Sequence, residues 1–160
     1  MRIASISALA GFLGLALATP AVAAPARIFL TNAIQGDTAE VRLGTLVQQR
    51  ARDSRIRDFG TMLVQDHSRS REAAIAAARQ EHLAIPAGVK PDARAEMAKL
   101  RRLSGRAFDR EVIRHSIADH RKDIAKFDAQ ARNGDRITRA HAQATLPHLR
   151  HHLDMALSLR

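Results

Sequence analysis

Cysteine, tryptophan and tyrosine are absent from this sequence, and apart from histidine its only aromatic residues are five phenylalanines. Without cysteine there is no disulfide, no thiolate ligand and no lipid-bearing N-terminal Cys, so the fold rests on its core alone and iron–sulfur chemistry is excluded. Without tyrosine or tryptophan the usual platform for stacking bases is missing, which argues against nucleic acid as a partner despite a formal charge of +10. Catalytic signatures are missing too. There is no G-x-S-x-G elbow, no P-loop and no H-E-x-x-H. The Glu-x-x-His element of di-iron bundles is also absent, since Glu111 and His115 stand four apart rather than three. An enzyme is the weakest of the readings that follow.

One apolar run stands at the start. Arg2 supplies a short positive segment, Ile3 to Ala18 form an apolar stretch, Pro20 breaks it, and Ala21-Val22-Ala23 offers the small-x-small pattern of a signal-peptidase site. Residues 1–23 are therefore expected to be a cleaved signal peptide, cut after Ala23 or Ala24, leaving one domain over 24–160. No Arg-Arg pair precedes the run, so the general secretory route is expected and the protein is placed in the periplasm or outside the cell. No later run is long and apolar enough to span a bilayer, which takes ~20 residues. Removing Arg2 lowers the charge from +10 to +9. Arginine dominates that charge and is spread over several segments, as in Arg50, Arg52, Arg55, Arg57, Arg69, Arg71, Arg101, Arg102 and Arg106. A solvated basic surface follows, with attraction to anionic envelope polymers or lipid head groups as its functional version.

Helical periodicity dominates the rest, and no strand pattern occurs. A first helix is expected over 27–51, with Ala33, Glu40, Gly44 and Val47 on one stripe. A second, capped by Asp53 or Ser54, covers 54–82 with Ile56, Phe59, Leu63 and Ala74 inward. LAIPAGVKP (83–91) is a loop, and Asp92 is expected to cap a short helix ending near Leu103. A long helix over 106–133 carries Ile113, Ile117, Ile124 and Phe127 at helical spacing. Asn133-Gly134 signals its end, Asp135 caps the last helix over 136–159, and Pro147 should kink or loosen that helix. Tight turns make the first two helices, and the last two, antiparallel neighbours. The connection from 83 to 105 far exceeds the ~2–8 residues of a hairpin, so it can run back along the molecule. The expected fold is all-α: a ferritin-like four-helix bundle with a long crossover containing a short extra helix. A five-helix orthogonal packing is the alternative.

At ~1.5 Å rise per residue, Glu40, His67, His120 and either His148 or His152 each lie roughly 20 Å from a helix end, at mid-height. His120 shares the stripe of Ile113, Ile117, Ile124 and Phe127; His67 lies four residues from Leu63. Asp66 and Asp119 are adjacent, as ligands or as partners that orient a ring. Imidazole or carboxylate in an apolar core must meet a partner. Two readings are open: hydrogen bonds among these groups satisfy the core without metal, or the groups hold a divalent ion. Imidazole and carboxylate suit zinc, copper(II), iron or manganese. His141, His148 and His152 form a further stripe; His115 and His151 are assigned no role.

The strings AEVRLG (39–44), RDFGTMLVQDH (57–67), LSGRAFDREVI (103–113), ADH (118–120) and TLPHLRHHL (145–153) resemble the exported bacterial proteins grouped as domain of unknown function 4142. The resemblance spans roughly 30–158 and implies export and a ferritin-like fold, with no established activity or cofactor. Its pattern falls on Glu40, Asp66, His67, Phe108, Asp109, Asp119, His120, Pro147 and His152, which favours His152 over His148. It departs at Glu111-Val112, where a tyrosine is usual. The resulting expectation is a periplasmic metal protein with Glu40, His67, His120 and His152 as ligands and Asp66 and Asp119 in support. Its rival is an envelope stress or interaction protein that works through its basic surface.

Overall fold

A computed structural model describes residues 24–160; the expected leader at 1–23 lies outside the described residues. The described chain forms five helices and no strand: α1 (Ala24–Arg50), α2 (Ser54–Gln80), α3 (Pro91–Arg101), α4 (Gly105–Asn133) and α5 (Arg136–Ser158). None of them is long and apolar enough to cross a membrane.

The chain turns where the sequence says it must. Asp53 caps α2, its side chain accepting from the Arg55 N–H, and Asp135 caps α5, accepting from Ile137 and Thr138. Asp92 does not cap α3. Lys90 holds that position, Pro91 opens the helix, and Asp92 stands in its first turn, where negative charge meets the exposed N–H groups. Gly134 ends α4 in an extended conformation (φ −71°) rather than a left-handed one. Glycine is needed there because a Cβ would lie 2.6 Å from the Gln130 carbonyl oxygen. Pro147 sits inside α5 without ending it. It removes the bond to the Gln143 carbonyl, and both residues face solvent, where water replaces the lost donor.

Two apolar clusters fix how the helices run. One gathers Leu43, Val47 and Ala51 with Ile56, Phe59 and Leu63, together with Phe108, Val112, Ile113, Ile117 and Ala156. The other gathers Leu30, Ala33 and Ile34 with Ala74, Ala77, Ala78, Phe127, Ala142, Leu146 and Leu149. The C-terminal half of α1 thus meets the N-terminal halves of α2 and α4 and the end of α5, and the opposite ends meet in the second cluster. So α2 and α4 run in the same direction, antiparallel to α1 and α5. The connector that carries α3 joins the two ends of the array, and Leu100 of α3 is buried in the first cluster. The closest partners are the hairpins α1/α2 and α4/α5; α2 also lies along α5, and α1 along α4.

Asp109 secures the α1–α2 turn from α4. Its two carboxylate oxygens accept from the backbone N–H groups of Arg52 and Asp53 at 3.0 and 3.1 Å. Arg50 ties α1 to the connector by donating to the carbonyls of Arg101 and Leu103, with its guanidinium over the Phe108 ring. The Phe108-Asp109 pair therefore locks the α1–α2 turn onto the α3–α4 turn.

Candidate metal centre

Between the two apolar clusters lies a layer of buried polar groups: Asp37, Glu40, His67, Ser116, His120 and His152. His67 reaches it from α2, His120 from α4 and His152 from α5, with residue exposures of 4, 2 and 0 %. Their ring centroids stand 5.1–5.7 Å apart, and one ring nitrogen of each lies within 4.8 Å of the others.

The other nitrogen of each ring is engaged outward. His67 Nδ1 meets Asp37 Oδ1 at 2.8 Å, His120 Nδ1 meets the Ser116 carbonyl at 3.0 Å, and His152 Nε2 meets Asp66 Oδ2 at 2.9 Å. These acceptors assign the tautomers, since a carbonyl or carboxylate oxygen takes the N–H. Burial would raise the Asp66 carboxyl, but the hydrogen bonds from His152 and Arg69 outweigh it and hold Asp66 below its ordinary range. Burial, then the neighbouring His67 and His152, push His120 well below 6.5, while burial and His67 push His152 down to about 4 against the pull of Asp66. Both rings are neutral at pH 7. Each therefore presents a bare lone pair to the other, His120 Nε2 to His152 Nδ1, at 3.2 Å. The third nitrogen, His67 Nε2, is buried with no partner.

With all three rings neutral, lone pairs converge with no proton between them, and a cation at the centre would relieve that. A tetrahedral ion with metal–nitrogen bonds of ~2.0–2.1 Å separates its ligand atoms by roughly 3.3 Å, which is the spacing found between His120 and His152. An outward hydrogen bond from each ligating imidazole to a carboxylate or carbonyl is the usual support of such a site. An opening of about 180 Å³ between α2 and α5 leads to it, bordered by Asp66, His67, His148 and His152.

The expected residues divide. His67, His120 and His152 come together, with Asp66 as the orienting partner of His152. His148 does not join them: its side chain is 53 % exposed and stands 3.5 Å from Asp66 at the mouth of the opening. Glu40 and Asp119 lie at the α1–α4 seam instead, grouped with His115. Two contributors were missed, Asp37 and His115. Asp37 was legible, being four residues after Ala33 and three before Glu40 on the inward stripe of α1. His141 is buried against Phe29 and Phe127, apart from the three.

Burial lifts the Glu40 carboxyl to about 8, offset in part by His67 and reinforced by Asp119, Asp123 and Asp37. Burial works to lower His67, but Asp37 and Glu40 prevail and raise it above 6.5. The sign of the pH dependence follows from linkage. From pH 6.5 down to 4.5 the unfolded chain protonates His120 and His152 and the fold does not, which removes stability. Glu40, protonated only in the fold across 4.5–8, opposes this by one proton. His141, lowered by burial, and Asp123, raised by burial, act in opposite senses. The two lowered histidines outweigh the one raised carboxyl, so acidification through this window costs stability. Above 6.5 the two lowered histidines no longer contribute, and both Glu40 and His67 make stability fall as pH rises. Metal-free protein is therefore expected to be most stable near pH 6.5, as urea midpoints at pH 5, 6.5 and 8 would record.

Fold and site together define a class: an all-helical protein with histidines and carboxylates buried in a layer at mid-height. Residues 14–159, nearly the whole chain, match the family model described as a domain of unknown function (DUF4142), and the chain belongs to that family. Comparison with curated proteins and with solved structures finds no match.

Proposed function

We propose that this chain is an exported, ferritin-like four-helix bundle, a single domain over residues 24–160, whose three-histidine centre binds a divalent transition-metal ion in the periplasm. His67 Nε2, His120 Nε2 and His152 Nδ1 are the ligands. Asp37, the Ser116 carbonyl and Asp66 hold the rings. The observation that carries this reading is the convergence of three buried ring nitrogens whose opposite ring nitrogens are held by Asp37, the Ser116 carbonyl and Asp66, two of the three lying 3.2 Å apart. Imidazole donors without thiolate or carboxylate favour zinc or copper(II) over manganese. Three protein ligands leave the fourth position of a tetrahedral ion open, toward the gap between α2 and α5. Support for export comes from the sequence of residues 1–23, and support for the ferritin-like label from the parallel course of α2 and α4 with a long connector between them.

Elemental analysis of the mature, untagged protein recovered from the periplasm tests this reading. One zinc or copper per chain is expected, and none in a folded His120→Ala variant. Absence of metal from the native protein, with no uptake on titration, would leave a hydrogen-bonded polar core. The basic surface and anionic envelope material would then be the place to look for function, with binding that weakens steeply in salt.

A further inference from the structure

On the far side of His67, a cleft of about 650 Å³ opens between α1, α3 and α4. In a chain of net charge +10 its lining holds more acidic than basic groups: Asp37, Glu40, Asp92, Glu96, Asp119 and Asp123 against Lys90, Lys122 and Lys126. Three of these residues have no use for the histidine centre yet are oriented toward one another or toward the same ring. Glu40 of α1 and the pair His115 and Asp119 of α4 each place one ligand atom within 4.8 Å of the other two. The pair is spaced i,i+4, which sets both side chains on one face of α4. Glu96 of α3 stands behind His115, its Oε1 at 4.0 Å from the ring Nδ1.

Glu40 supplies the decisive detail. It is 4 % exposed, and its Oε2 is buried with no hydrogen-bond partner, as is Oε1 of Glu96. A buried carboxyl oxygen left without a partner in this way costs free energy unless a ligand meets it. Of the lysines that line the cleft, Lys126 is committed, its Nζ donating to Asp123 Oδ1 at 2.7 Å.

We propose that Glu40, His115 and Asp119 form a second cation site, reached through this cleft, that takes an oxygen-preferring divalent ion such as Mn²⁺. Two carboxylates and one imidazole make a harder donor set than three imidazoles, so the two centres sort ions by ligand chemistry. The cleft leaves room for the water molecules that such an ion keeps. No donor atom is shared with the histidine centre, so this proposal does not rest on that one.

Mn²⁺ alone is the probe. Metal-free mature protein is titrated and the free aquo ion is followed by its electron paramagnetic resonance signal. One Mn²⁺ per chain is expected in the wild type and in a His120→Ala/His152→Ala variant. In a His115→Ala/Asp119→Asn variant the dissociation constant should rise more than about tenfold, since loss of a mere supporting residue already costs that much. His115 and Asp119 are half-buried, and retained helical circular dichroism certifies the fold. No Mn²⁺ uptake by the wild type overturns the second site, as does equal uptake by the His115→Ala/Asp119→Asn variant. Uptake lost only in the His120→Ala/His152→Ala variant overturns it as well, by assigning the ion to the histidines. In each of these cases zinc retained by the His115→Ala/Asp119→Asn protein leaves the histidine reading standing.

Discussion

Zinc or copper(II) at a hundred times its dissociation constant is expected to raise the melting temperature of the metal-free protein by roughly 10 °C. An ion that binds only the folded state adds ~2.7 kcal/mol at that concentration. For a chain of this size each kcal/mol is worth ~3–4 °C. The increment should vanish in His120→Ala and in His152→Ala, because each removes one of two nitrogens that face each other at 3.2 Å. It should shrink but survive in Asp66→Asn, which keeps His152 as a ligand and weakens only the carboxylate that holds its Nε2. His148→Ala should retain the full increment, since that ring lies at the exposed mouth. Affinity should also rise with pH through the neutral range. His67 is raised above 6.5, so the ion must displace its proton, and a higher pH removes that competitor. An increment equal in all four variants would place the ion elsewhere.

Helix existence, the inward stripes and the height of His67, His120 and His152 were all legible in the sequence, because periodicity and rise per residue are local properties. What a sequence does not carry is the choice among inward neighbours. Glu40 and His67 are both inward and both near mid-height. Glu40 turns to α4 and meets His115 and Asp119, whereas His67 also faces α5 and meets His152. That choice depends on how each helix is rotated in the assembled array, which only tertiary packing sets. His115 was passed over because it lies off the apolar stripe of α4, and its partner Glu40 comes from a helix 75 residues earlier (115 − 40). Among the caps, Asp53 and Asp135 were readable because their acceptors act on their own helix. Asp92 was misread because Pro91 pre-forms the first turn and leaves the cap to Lys90. The role of Asp109 was beyond reach from spacing alone, since the N–H groups it accepts belong to a turn 56 and 57 residues away.

Gly44→Ala should destabilise the protein by about 1–3 kcal/mol, the range typical of forced overpacking, even though alanine is the better helix former by ~1 kcal/mol. At this point α1 and α2 touch through their backbones. A Cβ on Gly44 would lie 2.6 Å from the Gly60 carbonyl oxygen and 2.9 Å from Val64 Cγ2. One on Gly60 would lie 2.8 Å from Val47 Cγ1 and 2.9 Å from the Gly44 carbonyl oxygen. Neither carbonyl is free to swing aside, as each belongs to a helix, so the two helices must separate. Gly44 stands one turn after Glu40, and Gly60 two turns before His67, so separation there should also displace both from their partners. Gly44→Ala is thus expected to weaken metal binding while Gly36→Ala serves as the control. A Cβ on Gly36 meets nothing within 4 Å, and that residue lies inside the same helix, so Gly36→Ala should stabilise by ~0.5–1 kcal/mol. Urea unfolding of the two variants side by side reads the contrast. Equal effects of like sign would mean that α1 and α2 do not approach each other so closely, and the height matching of Glu40 and His67 would lose its physical basis.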